Sequence, residues 1–242
     1  MWERFSTSIN TLNNMVLSAC QKENSNLQNL INWRKNLILL SVFIFMIGLI
    51  IGSFLNVCIY RFPRRESLLY PSSHCPECGS PIKWFDNIPL ISYLLLKGRC
   101  RSCKKPISFQ YPLVEAATGF LFLSAFLHYS LNSFIIPLFP LLKDLLFISF
   151  LIPIFFIDLK HQVIPNSLSY PLIISGVILS FFQQTILSSA VGIGIGGGVL
   201  FLIYFIGSYL LKEESMGMGD IKLSMGIGAF LGGEKTLLFL FL

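Results

Sequence analysis

Long apolar segments recur along this 242-residue sequence and constrain its fold more than any other feature. Hydrophobic residues make up 54% of the chain, whereas charged residues make up only 12%, and the mean hydropathy is +0.70. A soluble globular domain does not carry so large an apolar excess. Inside a bilayer the backbone polar groups must be satisfied within the segment, so apolar runs of this length form helices. The sequence therefore predicts an all-α polytopic membrane protein.

About six transmembrane helices are expected, preceded by a polar N-terminal tail over residues 1–36. The tail lacks the basic start, apolar stretch and cleavage site of a signal peptide. The spans are separated by short polar connections, apart from one long loop. Their approximate ranges are 37–60, 113–131, 145–159, 168–187, 190–211 and from 220 onward.

The loop over residues 61–112 is the one segment with the composition of a soluble protein. It contains nine Lys and Arg residues and three acidic residues, so its net charge of +6 equals that of the whole chain. A short loop this basic is expected on the cytoplasmic side of the membrane. We attribute its charge to topology and to contact with the lipid bilayer, and we expect no nucleic-acid partner.

Two C-x-x-C pairs lie in this loop, with 21 residues between them: Cys75 with Cys78, and Cys100 with Cys103. Four thiolates at this spacing are typical of a tetrahedral Zn²⁺ site. Two disulfides are the alternative, but the cytoplasm is reducing. Because a four-cysteine shell leaves no open coordination position, the predicted zinc is structural.

Two aspartates, Asp158 and Asp220, are placed at the ends of predicted spans. Ionisable residues at the edge of the membrane are costly and are therefore functional candidates. Counting spans from the cytoplasmic loop places both at cytoplasmic ends, on different helices. Two neighbouring carboxylates share a proton and can act as general acid and general base, so we predict a catalytic pair. The glycines of Gly217-Met218-Gly219-Asp220 would permit close approach to it.

Other interpretations of these features remain open. The two acids could be unrelated interfacial carboxylates beside Lys160 and Lys222, or an ion site. In either case the chain would be a non-catalytic membrane scaffold or a transporter subunit that holds a partner with its zinc loop. Two further polar residues are equally open: Asn56 suits interhelical or ligand contact, and Glu115 suits a helix N-terminus or a binding role.

Five segments together resemble the type IV prepilin peptidases, within the membrane aspartyl proteases that carry a Gly-x-Gly-Asp motif. The resemblance covers about residues 48–233 in order. The segments are the N-terminal signature at 52–63, the two cysteine pairs, Tyr111–Glu115, Asp158–Asn166 and Gly217–Leu223.

The resemblance implies removal of the leader peptide of prepilins or pseudopilins at the cytoplasmic face of the bacterial inner membrane, with Asp158 and Asp220 as the catalytic residues. It also implies methylation of the new N-terminus with S-adenosylmethionine, for which we expect Asn56, Arg61 and Glu115 as contacts. It leaves open whether the substrate belongs to pilus assembly, type II secretion or DNA uptake. Because relatives usually continue through further spans, we expect the peptidase core, 113–242, to be C-terminally incomplete.

Overall fold

The computed structural model describes residues 34–68, 70, 72–132, 136–211 and 217–241. The chain divides into two compact units, Met1–Phe43 and Ile44–Leu242. In the first unit, the described residues 34–43 are helical, and the rest of the predicted tail lies outside the described residues. The second unit contains all of the candidate site residues.

Helices account for nearly all the regular structure of the described residues, where the remaining pairing consists of two isolated bridges in the loop. Within the described ranges we number eight α-helices in chain order; α1 ends in a 3₁₀ turn. They are α1 (Arg34–Arg64), α2 (Ile91–Leu95), α3 (Gln110–Asn132), α4 (Leu138–His161), α5 (Asn166–Phe182), α6 (Ile186–Leu211), α7 (Met218–Leu231) and α8 (Gly233–Phe241).

Four of these helices, α1, α3, α4 and α6, are long and apolar enough to cross a membrane, and α5 is a shorter apolar helix of 17 residues. The prediction of an all-α polytopic membrane protein is confirmed. The α1 helix extends beyond the predicted range 37–60 at both ends, because hydropathy marks only its apolar part. The predicted sixth span is divided into α7 and α8 at Gly232, whose φ of 78° and ψ of 173° lie outside the helical region in a conformation that favours glycine.

The buried core is built where five helices converge. It contains Leu55 of α1, Val114 of α3, Ile157 of α4, Leu172 of α5 and Phe230 of α7. Many other large apolar side chains of the helices are exposed, as expected for surfaces that face lipid. This core fixes the ends of α4, α5 and α7 relative to one another.

Helices α6 and α7 pack backbone against backbone through glycine. A Cβ atom on Gly192 would collide with the carbonyl oxygen of Gly228, and one on Gly196 would lie 2.5 Å from the carbonyl oxygen of Ser224. Small residues at such an interface allow close helix approach within a membrane. By contrast, a Cβ on Gly194 would meet open space, so only one face of α6 needs to be small.

We predict that Gly192→Ala destabilises the protein by roughly 1–3 kcal/mol. The new methyl group would collide with the carbonyl oxygen of Gly228, which is part of the α7 backbone and cannot move away as a flexible side chain could. The matched variant Gly194→Ala should change stability by less than about 1 kcal/mol, because alanine favours helix and has space there. Thermal unfolding in detergent measures both. Equal effects of the two substitutions would contradict this packing.

Candidate functional site

The two cysteine pairs form a repeated structure, which we call the cysteine module (residues 72–108). In the first turn the Gly79 N–H donates to the Cys75 carbonyl at 2.9 Å, and in the second the Lys104 N–H donates to the Cys100 carbonyl at 3.1 Å. Each turn is closed by an isolated antiparallel bridge. Gly98 lies before the second pair, after α2, and Lys104 occupies the position in the second turn that is equivalent to Gly79 in the first.

The four cysteine sulfurs converge on one point. All four Sγ atoms lie within 4.8 Å of one another, and those of Cys75 and Cys103 are 3.9 Å apart. Zinc–sulfur bonds of about 2.3 Å in a tetrahedron require sulfurs separated by about 3.8 Å, so the cluster has the size of a four-thiolate metal site. The cysteines are not joined as disulfides. His74 contacts the Ser72 carbonyl at 3.0 Å and does not belong to this cluster.

The thiols of the cluster differ in their readiness to ionise. Hydrogen bonds from the side chain and the backbone of Ser80 lower the pKa of Cys78 to about 6, and the Ser80 hydroxyl lies 2.9 Å from its sulfur. A backbone hydrogen bond from Lys105 lowers the pKa of Cys103, but desolvation and the neighbouring thiols together raise it to about 11. Because metal ligands are thiolates, Cys78 is ready to bind at neutral pH, and Cys103 loses its proton when the metal enters.

We predict that Ser80→Ala moves the pH at which metal is half released to a higher value. Removing the hydroxyl raises the pKa of Cys78. Protons then compete with the metal for the Cys78 sulfur at a higher pH than in the unaltered chain. Zinc release between about pH 5 and 8 measures this. Ser102→Ala is the control, because Ser102 stabilises Cys100 through its backbone alone. A profile unchanged by Ser80→Ala would contradict the assigned role of the hydroxyl.

The three residues expected to contact a cofactor meet in one cavity of about 570 Å³. Asn56, Arg61 and Glu115 all line it and are all buried. The cavity also reaches Cys75 and Cys100 of the cysteine module. Its volume lies within the range of small-molecule sites.

Asn56 and Glu115 link α1, α3 and the cysteine module around this cavity. The Asn56 Nδ2 donates to the Tyr111 carbonyl at 3.0 Å, whereas its Oδ1 is buried without a hydrogen-bond partner. Glu115 Oε2 accepts the backbone N–H of Leu90 at 2.8 Å. Glu115 is therefore tied to the module rather than to its own helix N-terminus. The free oxygen of Asn56 is an acceptor that a ligand can use.

Two features of the cavity were not anticipated from the sequence. Leu90 has φ of 59° and ψ of −47°, a strained conformation for a residue with a Cβ atom, and such strain often accompanies function. Lys160 and His161, at the end of α4, also line the cavity. No local sequence signal could place them there, since the approach of α4 to the loop is a tertiary contact.

Asp158 and Asp220 lie outside this cavity lining, at the ends of two helices. Asp158 is exposed in the last turn of α4, and its carbonyl accepts the N–H of Gln162 at 2.8 Å. Asp220 is half-buried in the first turn of α7, where the helix N-terminus favours negative charge. A Cβ on Gly217 would lie 3.3 Å from Asp220 Oδ2, so this glycine leaves space beside the carboxylate.

Two contacts fix α4 antiparallel to α7. At one end, a Cβ on Gly219 would lie 3.0 Å from the Cβ of Ile164, just after α4. At the other end, the rings of Phe147 and Phe230 stack with centroids 5.0 Å apart. Lys222 adds a link from α7 to α5, with its Nζ 2.9 Å from Asn166 Oδ1.

Counted along the two helices from this aromatic stack, the two aspartates are at similar distances. Asp158 follows Phe147 by eleven residues, about 16 Å along α4, and Asp220 precedes Phe230 by ten residues, about 15 Å along α7. Eleven residues are also close to three full helical turns, so Asp158 lies on the face of α4 that carries Phe147.

Comparisons with known proteins agree with these features. Residues 46–129 match the family model described as the bacterial peptidase A24 N-terminal domain, and residues 145–242 match the type IV leader peptidase family. The chain belongs to the type IV leader peptidase family. The resemblance inferred from the motifs is therefore confirmed. No solved structure matches the chain.

Several curated proteins of this family are similar to the chain. A prepilin leader peptidase/N-methyltransferase of Klebsiella pneumoniae is 40% identical over 200 residues, which cover 79% of this chain and 85% of that protein. The protein of the same description from Myxococcus xanthus is 38% identical over 203 residues. That match covers 80% of this chain but 56% of the relative, so the chain spans little more than half of its length.

Proposed function

We propose that the chain is a membrane aspartic endopeptidase that removes the leader peptide of type IV prepilins or pseudopilins at the cytoplasmic face of the inner membrane. The observation that carries this proposal is the position of Asp158 and Asp220 at similar distances along α4 and α7 from the stacked rings of Phe147 and Phe230. The descriptions of the curated relatives support the same substrate class. The basic loop between α1 and α3 supports the cytoplasmic position of this end of the bundle.

In the proposed reaction the two carboxylates share one proton. The ionised one removes a proton from a water molecule, whose oxygen bonds to the scissile carbonyl carbon, while the protonated one donates to the carbonyl oxygen. The carbon–nitrogen bond then breaks as the nitrogen takes up a proton from the pair and the carbonyl re-forms. Gly217 leaves space beside the Asp220 carboxylate, so an extended peptide could approach it.

We propose zinc as the ion of the cysteine module and assign it a structural role. The sulfur separations support a four-thiolate shell, which leaves no position for substrate. Cys75 and Cys100 hold the metal and line the 570 Å³ cavity, so the metal would keep that wall in place.

We further propose that this cavity binds S-adenosylmethionine, which would supply a methyl group for the newly exposed α-amine. The buried, unpartnered Asn56 Oδ1 is the observation that favours a ligand there. Asn56, Arg61 and Glu115 would hold the cofactor. Lys160 and His161 line the same cavity just after Asp158, so the product of cleavage would have a short path to it.

We expect Asp158→Asn and Asp220→Asn each to reduce prepilin cleavage by at least about 10²–10⁴-fold, because an amide cannot exchange the proton. Both variants should retain zinc and should still methylate a peptide that is already cleaved. Asp144→Asn is a matched control, since Asp144 accepts a hydrogen bond from Tyr129 elsewhere in the fold. Full cleavage by either variant would contradict the catalytic pairing of Asp158 with Asp220, whereas the scaffold or transporter interpretation predicts no cleavage by the unaltered chain.

Asn56→Leu should weaken S-adenosylmethionine binding by about 10-fold or more, because it removes both the unpartnered oxygen and the hydrogen bond to Tyr111. Calorimetric titration of the purified chain measures this without any turnover. Asn132→Leu is the control, since Asn132 is exposed and bonds to the carbonyl of His128 in its own helix. Unchanged binding by Asn56→Leu, with zinc retained, would place the cofactor elsewhere.

A further inference from the structure

The second turn of the cysteine module carries a groove that the proposed reactions do not use. Its volume is about 450 Å³. The groove combines two leucines, three basic residues and one cysteine. These residues are Leu95, Leu96, Lys97, Arg99, Cys100 and Lys104.

The three basic side chains of the groove are exposed and are not neutralised by acidic residues within the described part of the chain. The ion pairs of the module involve other residues, since Asp86 binds Arg101 and Glu77 binds Lys105. Three neighbouring cations without acidic partners attract an anion with several oxygens. The groove therefore has the charge of a phosphate site.

Two of these cations occupy positions where the backbone favours glycine. Lys97 has φ of 51° and Lys104 has φ of 60°, in the left-handed region that side chains disfavour by about 1–2 kcal/mol. The equivalent position in the first turn is Gly79, with φ of 69°. The first turn thus folds without a lysine at this position. The backbone geometry of the second turn therefore gives no reason for the positive charge of Lys104.

The apolar part of the groove points to a lipid rather than to a free ion. Leu95 is 78% exposed, which is unfavourable in water but suits the boundary between headgroups and acyl chains. The groove is also close in the chain to a helix that is long and apolar enough to cross a membrane. Gln110, the first residue of α3, follows Lys104 by six positions, so the two are at most about 20 Å apart.

We propose that this groove binds the phosphate headgroup of an anionic phospholipid and so docks the cysteine module on the membrane surface. Lys97, Arg99 and Lys104 contact the phosphate, and the leucines enter the acyl boundary. Docking would hold the mouth of the 570 Å³ cavity at the membrane face. The proposal does not depend on either proposed enzymatic activity.

Direct lipid titration tests the proposal on the full chain, purified in a neutral detergent. The probes are dioctanoyl phosphatidylglycerol, dioctanoyl phosphatidylcholine and inorganic phosphate. Native mass spectrometry measures the binding of each probe, and the zinc content of each sample is measured separately. The variants are Lys97→Gln, Arg99→Gln, Lys104→Gln, the triple variant and Leu95→Asn. Arg65→Gln is the matched control, because Arg65 is exposed in the same loop but lies outside the groove.

Phosphatidylglycerol should bind more tightly than phosphatidylcholine to the unaltered chain. Each single loss of charge should weaken its binding about 5-fold, and the triple variant about 100-fold, whereas Arg65→Gln should have little effect. Leu95→Asn should weaken binding of the lipid but not of phosphate.

Three results would overturn the proposal. One is equal phosphatidylglycerol binding by the zinc-loaded single variants and the unaltered chain. Another is tight binding of phosphate with no preference for the lipid, which would indicate a free-anion site. The third is a charge variant that loses zinc but still binds phosphatidylglycerol as tightly as the unaltered chain. The basic side chains would then serve to neutralise the negative charge of the zinc–thiolate cluster.

Discussion

The close approach of α6 and α7 is the interaction on which the position of Asp220 depends. Helix α7 has only 14 residues and is too short to cross a membrane alone, so its placement comes from its neighbours. The glycines at 192 and 228 bring the two backbones together where side chains would hold them apart. Contacts with Ile164 and Asn166 then bring the N-terminus of α7 to the turn after α4. The position of Asp220 is thus set by the packing of α7 against its neighbours rather than by a hydrogen bond of the Asp220 side chain.

The proposed peptidase and methyltransferase sites are adjacent because α4 contributes to both. Its last residues, Lys160 and His161, line the cavity bounded by α1, α3 and the cysteine module, and Asp158 precedes them in the same helix end. Glu115 connects this cavity to the module through the Leu90 N–H. The order of the two proposed reactions, cleavage and then methylation, fits this arrangement, since a new amine formed at Asp158 would be two residues along α4 from Lys160 of the cavity.

The sequence predicted the helical membrane class and the four cysteines that the structure brings together, because hydropathy and cysteine spacing are local signals. The catalytic role of Asp158 and Asp220 stays a prediction. The sequence also grouped Asn56 and Glu115 through a family resemblance. It did not predict the division of the last span, since the backbone conformation of Gly232 depends on packing. Nor did it separate Gly192, which contacts α7, from Gly194, which meets open space, because helix rotation is decided by tertiary contacts.

We propose that one helical membrane chain cleaves a prepilin and then methylates the product. Incubating the purified chain with a synthetic prepilin and S-adenosylmethionine, and identifying the product by mass spectrometry, tests both steps. We expect a peptide shortened by its leader and carrying one methyl group on its new N-terminus. A shortened but unmethylated peptide would contradict the assignment of the 570 Å³ cavity. An intact prepilin would contradict the catalytic pairing of Asp158 with Asp220.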